Sequence, residues 1–282
     1  MEQRHPLQDI HFAFIGAGAM GQAIIGGILS KHQLDPTHVT ASDTQEDRLK
    51  AVRDAYGIQI TRNNFEAISK ANVVVLAVKP QVLPVVLLEL RDTIKSETLV
   101  LSIVAGVTIE TIAAGLNHRA VVRTMPNTPA QVGEGMTVWT ASTEVGSVQI
   151  QQATAIVDAL GKHLHVSNEK FLDMATAITG SGPAYVFLLI EALVDSAVQL
   201  GFSMADAHEL VVQMVFGSAS FARGSEAEPA EMRKMVTSPG GTTAAAVAEL
   251  EKGAFRTLIS NAVQAAYLRS LELGKTSPEV VK

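Results

Sequence analysis

The run "FIGAGAMGQAIIGGIL" places Gly16, Gly18 and Gly21 in a G-x-G-x-x-G pattern directly after the apolar stretch Ile10–Ile15 and at the start of a helical stretch, Ala19–Lys31. Glycines at this spacing have three separate uses. Gly16 permits the tight turn, Gly18 lets backbone approach a diphosphate, and Gly21 lets the helix pack closely on the strand. Few folds can use the pattern in a first strand–helix unit, and the leading one is a doubly wound parallel sheet that binds a dinucleotide. An unliganded tight turn is the simpler alternative.

The rest of the N-terminal half fits that sheet. Short apolar runs recur at His38–Ser42, Val73–Val78, Leu99–Val104, Ala120–Met125 and Met136–Ala141, with helical patterns between them at Gln45–Tyr56 and Gly146–Leu160. From about Asn168 the strand pattern stops. Helical periodicity then continues through Asn168–Ile178, Pro183–Leu200, Met204–Arg223, Pro229–Val236, Thr243–Glu251 and Ala254–Leu273. The expected organisation is α/β: a Rossmann-type domain over residues 1–164, followed by an all-helical domain over 165–282.

Composition narrows the function classes. Hydrophobic residues make up 47% and charged residues 18%, so large buried surfaces are expected and disorder is excluded. The net charge is −6 with no long basic run, which argues against nucleic acid as a partner. There are no cysteines, hence no disulfide, thiolate nucleophile or cysteine metal site; this suits a reducing compartment, and the cytoplasm is expected. The opening "MEQRHPLQDIH" lacks the apolar core of a signal peptide. "PAYVFLLIEALVDSAVQL" is near membrane-spanning length, but Glu191, Asp195 and Gln199 recur on one face, which suits a protein interior or a subunit interface better than lipid.

At the end of the second strand, Ser42-Asp43-Thr44 stands where a ribose is read. An acid about 20 residues beyond the glycines accepts a ribose 2′-hydroxyl and repels a 2′-phosphate, so Asp43 leans towards NAD. Ser42, Thr44 and Arg48 are equally able to receive a phosphate, and the residues leave the choice open. "LAVKP" puts Ala77, Val78, Lys79 and Pro80 at the carboxyl edge of a central strand, and "SIVAGV" puts Ala105 and Gly106 at the next. His163 and His165 share one side of an extended segment, but no third ligand is near and no metal is expected.

In the helical half, "SPGGTT" runs from Ser238 to Thr243 and opens into a helix. The free N–H groups of such a start attract an anion, and a plain Ser/Thr cap on the helix is the structural alternative. "TGSGPAY" (Thr179–Tyr185) reads either as a site wall or, slightly better, as a close helix contact with Pro183 in the first turn.

Taken in order, "FIGAGAMG", "LAVKPQ", "SIVAGVT", "MPNTPAQVGEG", "TGSGPAYVF" and "SPGGTT…LE…FR" resemble the pyrroline-5-carboxylate reductases over almost the whole chain. The resemblance implies reduction of 1-pyrroline-5-carboxylate to L-proline with NADPH, or NADH as the alternative. It implies cofactor contacts from Ile15, Gly16, Ala17, Gly18, Ala19, Met20, Ser42, Thr44, Asn64, Ala77, Val78, Lys79, Pro80, Ile103, Val104 and Ala105, to which the residues themselves add Gly21 and Asp43. It implies substrate contacts from Glu169, Met235, Thr242 and Thr243. Within the loop, Ser238, Gly240 and Gly241 are expected to present backbone donors to the substrate carboxylate, and Thr243 to hydrogen-bond the imine nitrogen as the catalytic residue. Asn127 and Glu134 also match family positions, although turn formation accounts equally well for Asn127. A homodimer through the helical half, or a higher assembly of dimers, is implied, with one subunit's "SPGGTT" meeting the other's cofactor. Two rivals share this architecture: a β-hydroxyacid-type dehydrogenase, whose helical domain would carry a lysine base, and a non-catalytic NAD(P) sensor.

Overall fold

The structure, a computed structural model, describes residues 5–275. Among these, eight strands form one sheet: β1 (Phe12–Ile15), β2 (Val39–Ser42), β3 (Gln59–Thr61), β4 (Val73–Leu76), β5 (Leu99–Ser102), β6 (Val121–Met125), β7 (Gly135–Ala141) and β8 (Gly161–His165). Their order is β3-β2-β1-β4-β5-β6-β7-β8, parallel throughout except for the β6–β7 pair. The chain winds outward from β1 in both directions, so the gap between β1 and β4 is the point where strand order reverses. Ligands bind in such sheets at the carboxyl ends of the strands beside that point.

Alternation along the strands assigns two core faces, as a pleat of period two requires. Phe12 and Phe14 point to the face covered by α1 (Ala19–His32), α2 (Glu46–Tyr56) and, further on, α6 (Ser147–Asp158). Ala13 and Ile15 point to the opposite face, packed by α3 (Asn64–Ile68), α4 (Leu83–Leu90) and α5 (Ile109–Leu116). β3 and β8 carry no apolar run: β3 reads QIT and β8 reads GKHLH, half-buried or exposed along their length. Both are edge strands, where polar residues face water without penalty. β8 therefore occupies what reads in the sequence as the boundary between domains.

After β8 come α7 (Lys170–Ala175), α8 (Gly182–Gln199), α9 (Met204–Gly224), α10 (Pro229–Met235), α11 (Thr242–Lys252) and α12 (Phe255–Lys275), close to the expected spans. Between α7 and α8, Thr176–Gly180 forms a π turn in which the Ser181 N–H donates to the Thr176 carbonyl at 2.8 Å. A Cβ on Gly180 would lie 2.7 Å from the Met125 methyl, so this glycine meets a strand end rather than another helix.

The described residues divide into two compact units, one of residues 5–181 with 266–275 and the other Gly182–Ala265. The expected boundary at 164/165 differs from this division for a physical reason: Leu172 and Asp173 of α7 are buried within the sheet unit, and Asp173 is joined there to Arg123 of β6. The last turns of α12 belong to the sheet unit as well. The second unit has almost no core of its own: only Val194, Ala207 and Val211 are buried, in an α8–α9 hairpin.

Candidate active site

Backbone hydrogen bonds extend the parallel ladder past the strand ends and hold the loops at the carboxyl edge. The Gly16 N–H donates to the Ser42 carbonyl at 2.8 Å, the Ala77 N–H to Ile15 at 2.8 Å, and the Ile103 N–H to Leu76 at 3.1 Å. Gly16 has φ +105°, and a Cβ there would lie 2.6 Å from the Ala77 carbonyl oxygen. Glycine is needed at this position by the protein itself. Gly21 is similar, since its Cβ would meet the Gly16 carbonyl oxygen at 2.8 Å.

Gly18 is different. A Cβ there would have no protein atom within 4 Å, and its φ of −72° suits any residue. Gly18 is also the N-cap of α1, with no side-chain cap and no acid in the first turn. The open side of this helix start suits a diphosphate: free N–H groups, the positive end of the dipole and no side chain in the way. On these grounds the residues present fit a dinucleotide.

The cleft beside it, of about 380 Å³, is lined by Ile15, Gly16, Gly18, Ala19, Ser42, Asp43, Thr44, Asn64, Ala77, Val78 and Lys79, all expected from the sequence. Arg48 and Arg62 line it too. Arg62, just beyond the unexpected edge strand β3, was not foreseen.

Other expected residues approach differently. Ala17 is fully buried in the core, and Met20 packs on the same face. Val104 is buried in the opposite core, while Ile103 and Ala105 are half-buried at the end of β5. Pro80 lies in the turn before α4.

Hydrogen bonds give Asp43 a second part. One carboxylate oxygen accepts the Ala17 N–H at 2.9 Å and the other accepts the Gln45 N–H at 2.9 Å, with Arg48 at 3.8 Å. The acid braces the glycine loop from below. Ser42 is buried and donates to Asn64 at 2.6 Å, and Asn64 donates to Glu89 at 2.8 Å.

Glu169 stands at the N-cap of α7, and one of its oxygens accepts from Arg123 at 2.9 Å and from the Ile109 N–H at 2.8 Å. Arg123 is 2% exposed and also donates to Asp173 at 2.9 Å. An arginine inside the apolar run "AVVRTM" is the sequence signal for this cluster, because a buried charge requires partners. Asn127 accepts the Met136 N–H at 2.9 Å, a turn-holding role. His163 lies between the Trp139 indole N–H at 3.2 Å and Asp158 at 3.3 Å, and His165 stacks on Trp139.

In the second unit, Ser238–Gly241 is a tight turn: the Gly241 N–H donates to the Ser238 carbonyl at 3.1 Å, and Gly240 has φ +70°. Proline second and a positive-φ glycine third is the type II pattern. The Gly241 α-carbon sits against the Ser238 hydroxyl with no room for a Cβ. Gly241, not a threonine, is the N-cap of α11, and no side chain caps it. Thr242 and Thr243 occupy the first turn, and Met235 is exposed at the end of α10.

A mostly parallel sheet with a glycine-rich turn at its switch point, beside a cleft lined by Arg48, Arg62 and Lys79, is the form of a dinucleotide-binding protein. Residues 169–273 match the family model for pyrroline-5-carboxylate reductase dimerisation, and residues 11–106 match that for NADP oxidoreductase, coenzyme F420-dependent. A pyrroline-5-carboxylate reductase from Synechocystis is 42% identical, covering 95% of this chain and 99% of that one. One from Pseudomonas aeruginosa is 40% identical, covering 93% and 96%. The structure of the Plasmodium falciparum enzyme with NADP bound superposes with a TM-score of 0.87 at 30% identity, over 95% of this chain and 99% of that one. The chain belongs to the pyrroline-5-carboxylate reductase family, NAD(P)H-dependent oxidoreductases of proline biosynthesis. Self-association comes with the dimerisation region.

Proposed function

We propose that the chain reduces 1-pyrroline-5-carboxylate to L-proline with NADPH, and that the uncapped start of α11 holds the substrate carboxylate. The observation that carries this reading is the pairing of a type II turn with a helix start whose N–H groups have no side-chain cap. Such a start favours one negative charge. Gly16, Gly18 and Ala77–Lys79 would hold the dinucleotide, which would supply the hydride that adds to the C=N carbon. A protonated imine nitrogen makes that carbon electrophilic, and the product keeps this proton on its amine. Thr243, in the first turn of α11, hydrogen-bonds the nitrogen, and Met235 with Thr242 walls the ring. These groups act by position rather than by strong acidity.

At the adenosine end, Thr44, Arg48 and Arg62 receive the 2′-phosphate, while the buried Ser42 hydroxyl is engaged by Asn64. With both Asp43 oxygens engaged by backbone N–H groups, the acid offers less opposition to that phosphate than its place in the sequence implies. Glu169, held at one oxygen by Arg123 and the Ile109 N–H, is kept as a substrate contact. The working assembly is a homodimer or a group of dimers in the cytoplasm, with no nucleic-acid or membrane partner. Lys170–Gln199 is long and apolar enough to cross a membrane, yet it lies inside the region matched by the dimerisation model. Its apolar surface is assigned to a second copy.

NADPH oxidation should depend on added pyrroline-5-carboxylate. Thr243→Ala should lower kcat by about tenfold to a thousandfold with NADPH affinity retained. Unchanged kinetics would remove Thr243 from the reaction.

A further inference from the structure

The loop after β5 lies beside the end of β4, where the Ile103 N–H donates to the Leu76 carbonyl, and its position is fixed by residues far away in sequence. Gly106, at φ +77°, lies directly under the end of α12. A Cβ on it would lie 2.8 Å from the Ser270 carbonyl oxygen and 3.0 Å from the Gly274 nitrogen, and the Gly274 α-carbon faces the Gly106 carbonyl with no room for a Cβ. At the loop's other end, the first N–H of α5, that of Ile109, donates to Glu169 at 2.8 Å. The Ser270 hydroxyl donates to Asp173 at 3.0 Å. Glu169 and Asp173 are joined by one group, the Arg123 guanidinium, with 2.9 Å to each.

We infer that Arg123 is a positioning residue for hydride transfer: by bridging Glu169 and Asp173 it sets the height of the Ile103–Gly106 loop against the nicotinamide end of the cleft. A planar guanidinium can reach two carboxylates in fixed directions; a lysine ammonium keeps the charge and loses that geometry. The loop is gripped at Ile109 through Glu169 and at Gly106 through Ser270 and Asp173, so losing the bridge lets both grips shift together. Hydride transfer depends steeply on donor–acceptor placement, and a misplacement on the order of 1 Å costs about a hundredfold. The adenosine end is held by other loops and should not respond. The inference rests on the reductase reading above.

Arg123→Lys is the test, with Ser270→Ala as a milder second variant in case the first folds poorly. Three measurements are made on the full chain: kcat with pyrroline-5-carboxylate, the isotope effect with NADPH deuterated at the transferred position, and the Kd of 2′,5′-ADP. Wild-type turnover is the separate check on the reductase reading. Expected for Arg123→Lys is a kcat loss of about tenfold to a hundredfold, a larger isotope effect, and a 2′,5′-ADP Kd within about twofold of wild type. Ser270→Ala should move kcat and the isotope effect in the same direction by less. A lower Tm with unchanged kcat and isotope effect in both variants would overturn the inference. So would an equal loss of 2′,5′-ADP affinity, which would mark a general role in folding.

Discussion

The Asp43 carboxylate lies under the glycine loop, accepting the Ala17 N–H at 2.9 Å across 26 residues of sequence. The same acid lines the cleft where a ribose would be read, so it braces the glycine turn as well as facing the cleft. Asp43→Asn replaces one acceptor oxygen with a donor amide facing a backbone N–H. NADPH and NADH affinities should fall together, their ratio changing by less than about threefold, because loss of a charge-assisted hydrogen bond acts on the shared loop. Arg62→Ala should instead weaken 2′,5′-ADP and leave 5′-AMP unchanged. Equilibrium titrations of the four ligands check both; a large rise in NADPH preference for Asp43→Asn would return the acid to the ribose.

Gly16 and Gly18 should separate stability from binding. Gly16→Ala forces a Cβ against the Ala77 carbonyl at a positive φ, a strain of order 1–3 kcal/mol that melting should reveal. Gly18→Ala meets no protein atom, so Tm should hold while NADPH affinity falls by about tenfold or more, where a methyl blocks diphosphate approach. A Gly18→Ala protein that binds NADPH normally would show that the diphosphate lies elsewhere.

These contrasts show what the sequence could and could not carry. Gly16, Gly18 and Gly21 are legible because strand, turn and helix follow one another within a dozen or so residues. The long helices α8, α9 and α12 are legible from their periodicity. Edge strands β3 and β8 are not, since exposed strands need no apolar alternation. The bracing contact of Asp43 was hidden because an acid in that position serves a ribose hydroxyl or a backbone N–H equally well. Arg123 shows the other limit: its residue type announces buried partners, but Glu169 and Asp173 lie 46 and 50 residues away and only the fold brings them together.

Stability should decline as pH falls below the ordinary histidine value of about 6.5. Burial holds His118 below that value, partly opposed by its hydrogen bonds to the backbone of Thr98 and Ala120. Burial also lowers His32, opposed by the Ala155 carbonyl and Asp158 and aided by His5 and Lys31. His11 is lowered by burial, then by His38 and Lys70. A base whose folded pKa is depressed takes up fewer protons folded than unfolded. Its full stability is therefore present above about 6.5 and is lost as pH falls from there through the folded value. Tm should be lower at pH 5.5 than at 7.5 by a few degrees or so. His118→Gln, which keeps an N–H donor for the Thr98 carbonyl and cannot titrate in this range, should flatten the slope. An unchanged slope would exclude His118 as a contributor.

The last expected outcome concerns the second unit, Gly182–Ala265, which cannot hold its helices by its own packing. Its three buried side chains supply about 1.5–3 kcal/mol each at most, whereas ordering backbone costs about 1–2 kcal/mol per residue. Meanwhile Phe187, Leu188, Leu210, Phe216, Phe221 and Leu258 are all at least half exposed. An apolar surface spread over α8, α9 and α12 exceeds what soluble monomers leave in water, and the dimerisation match over 169–273 covers it. α12 also ends under Gly106 with Ser270 on Asp173, so its first half serves the dimerising unit and its last turns serve the sheet. Association and activity should therefore fail together. Phe187→Asp with Leu188→Asp should abolish the dimer in sedimentation and reduce turnover to background, and removal of residues from 254 onward should yield insoluble or unfolded protein. A stable monomer with wild-type kcat, from either change, would show that the exposed helices serve some other surface.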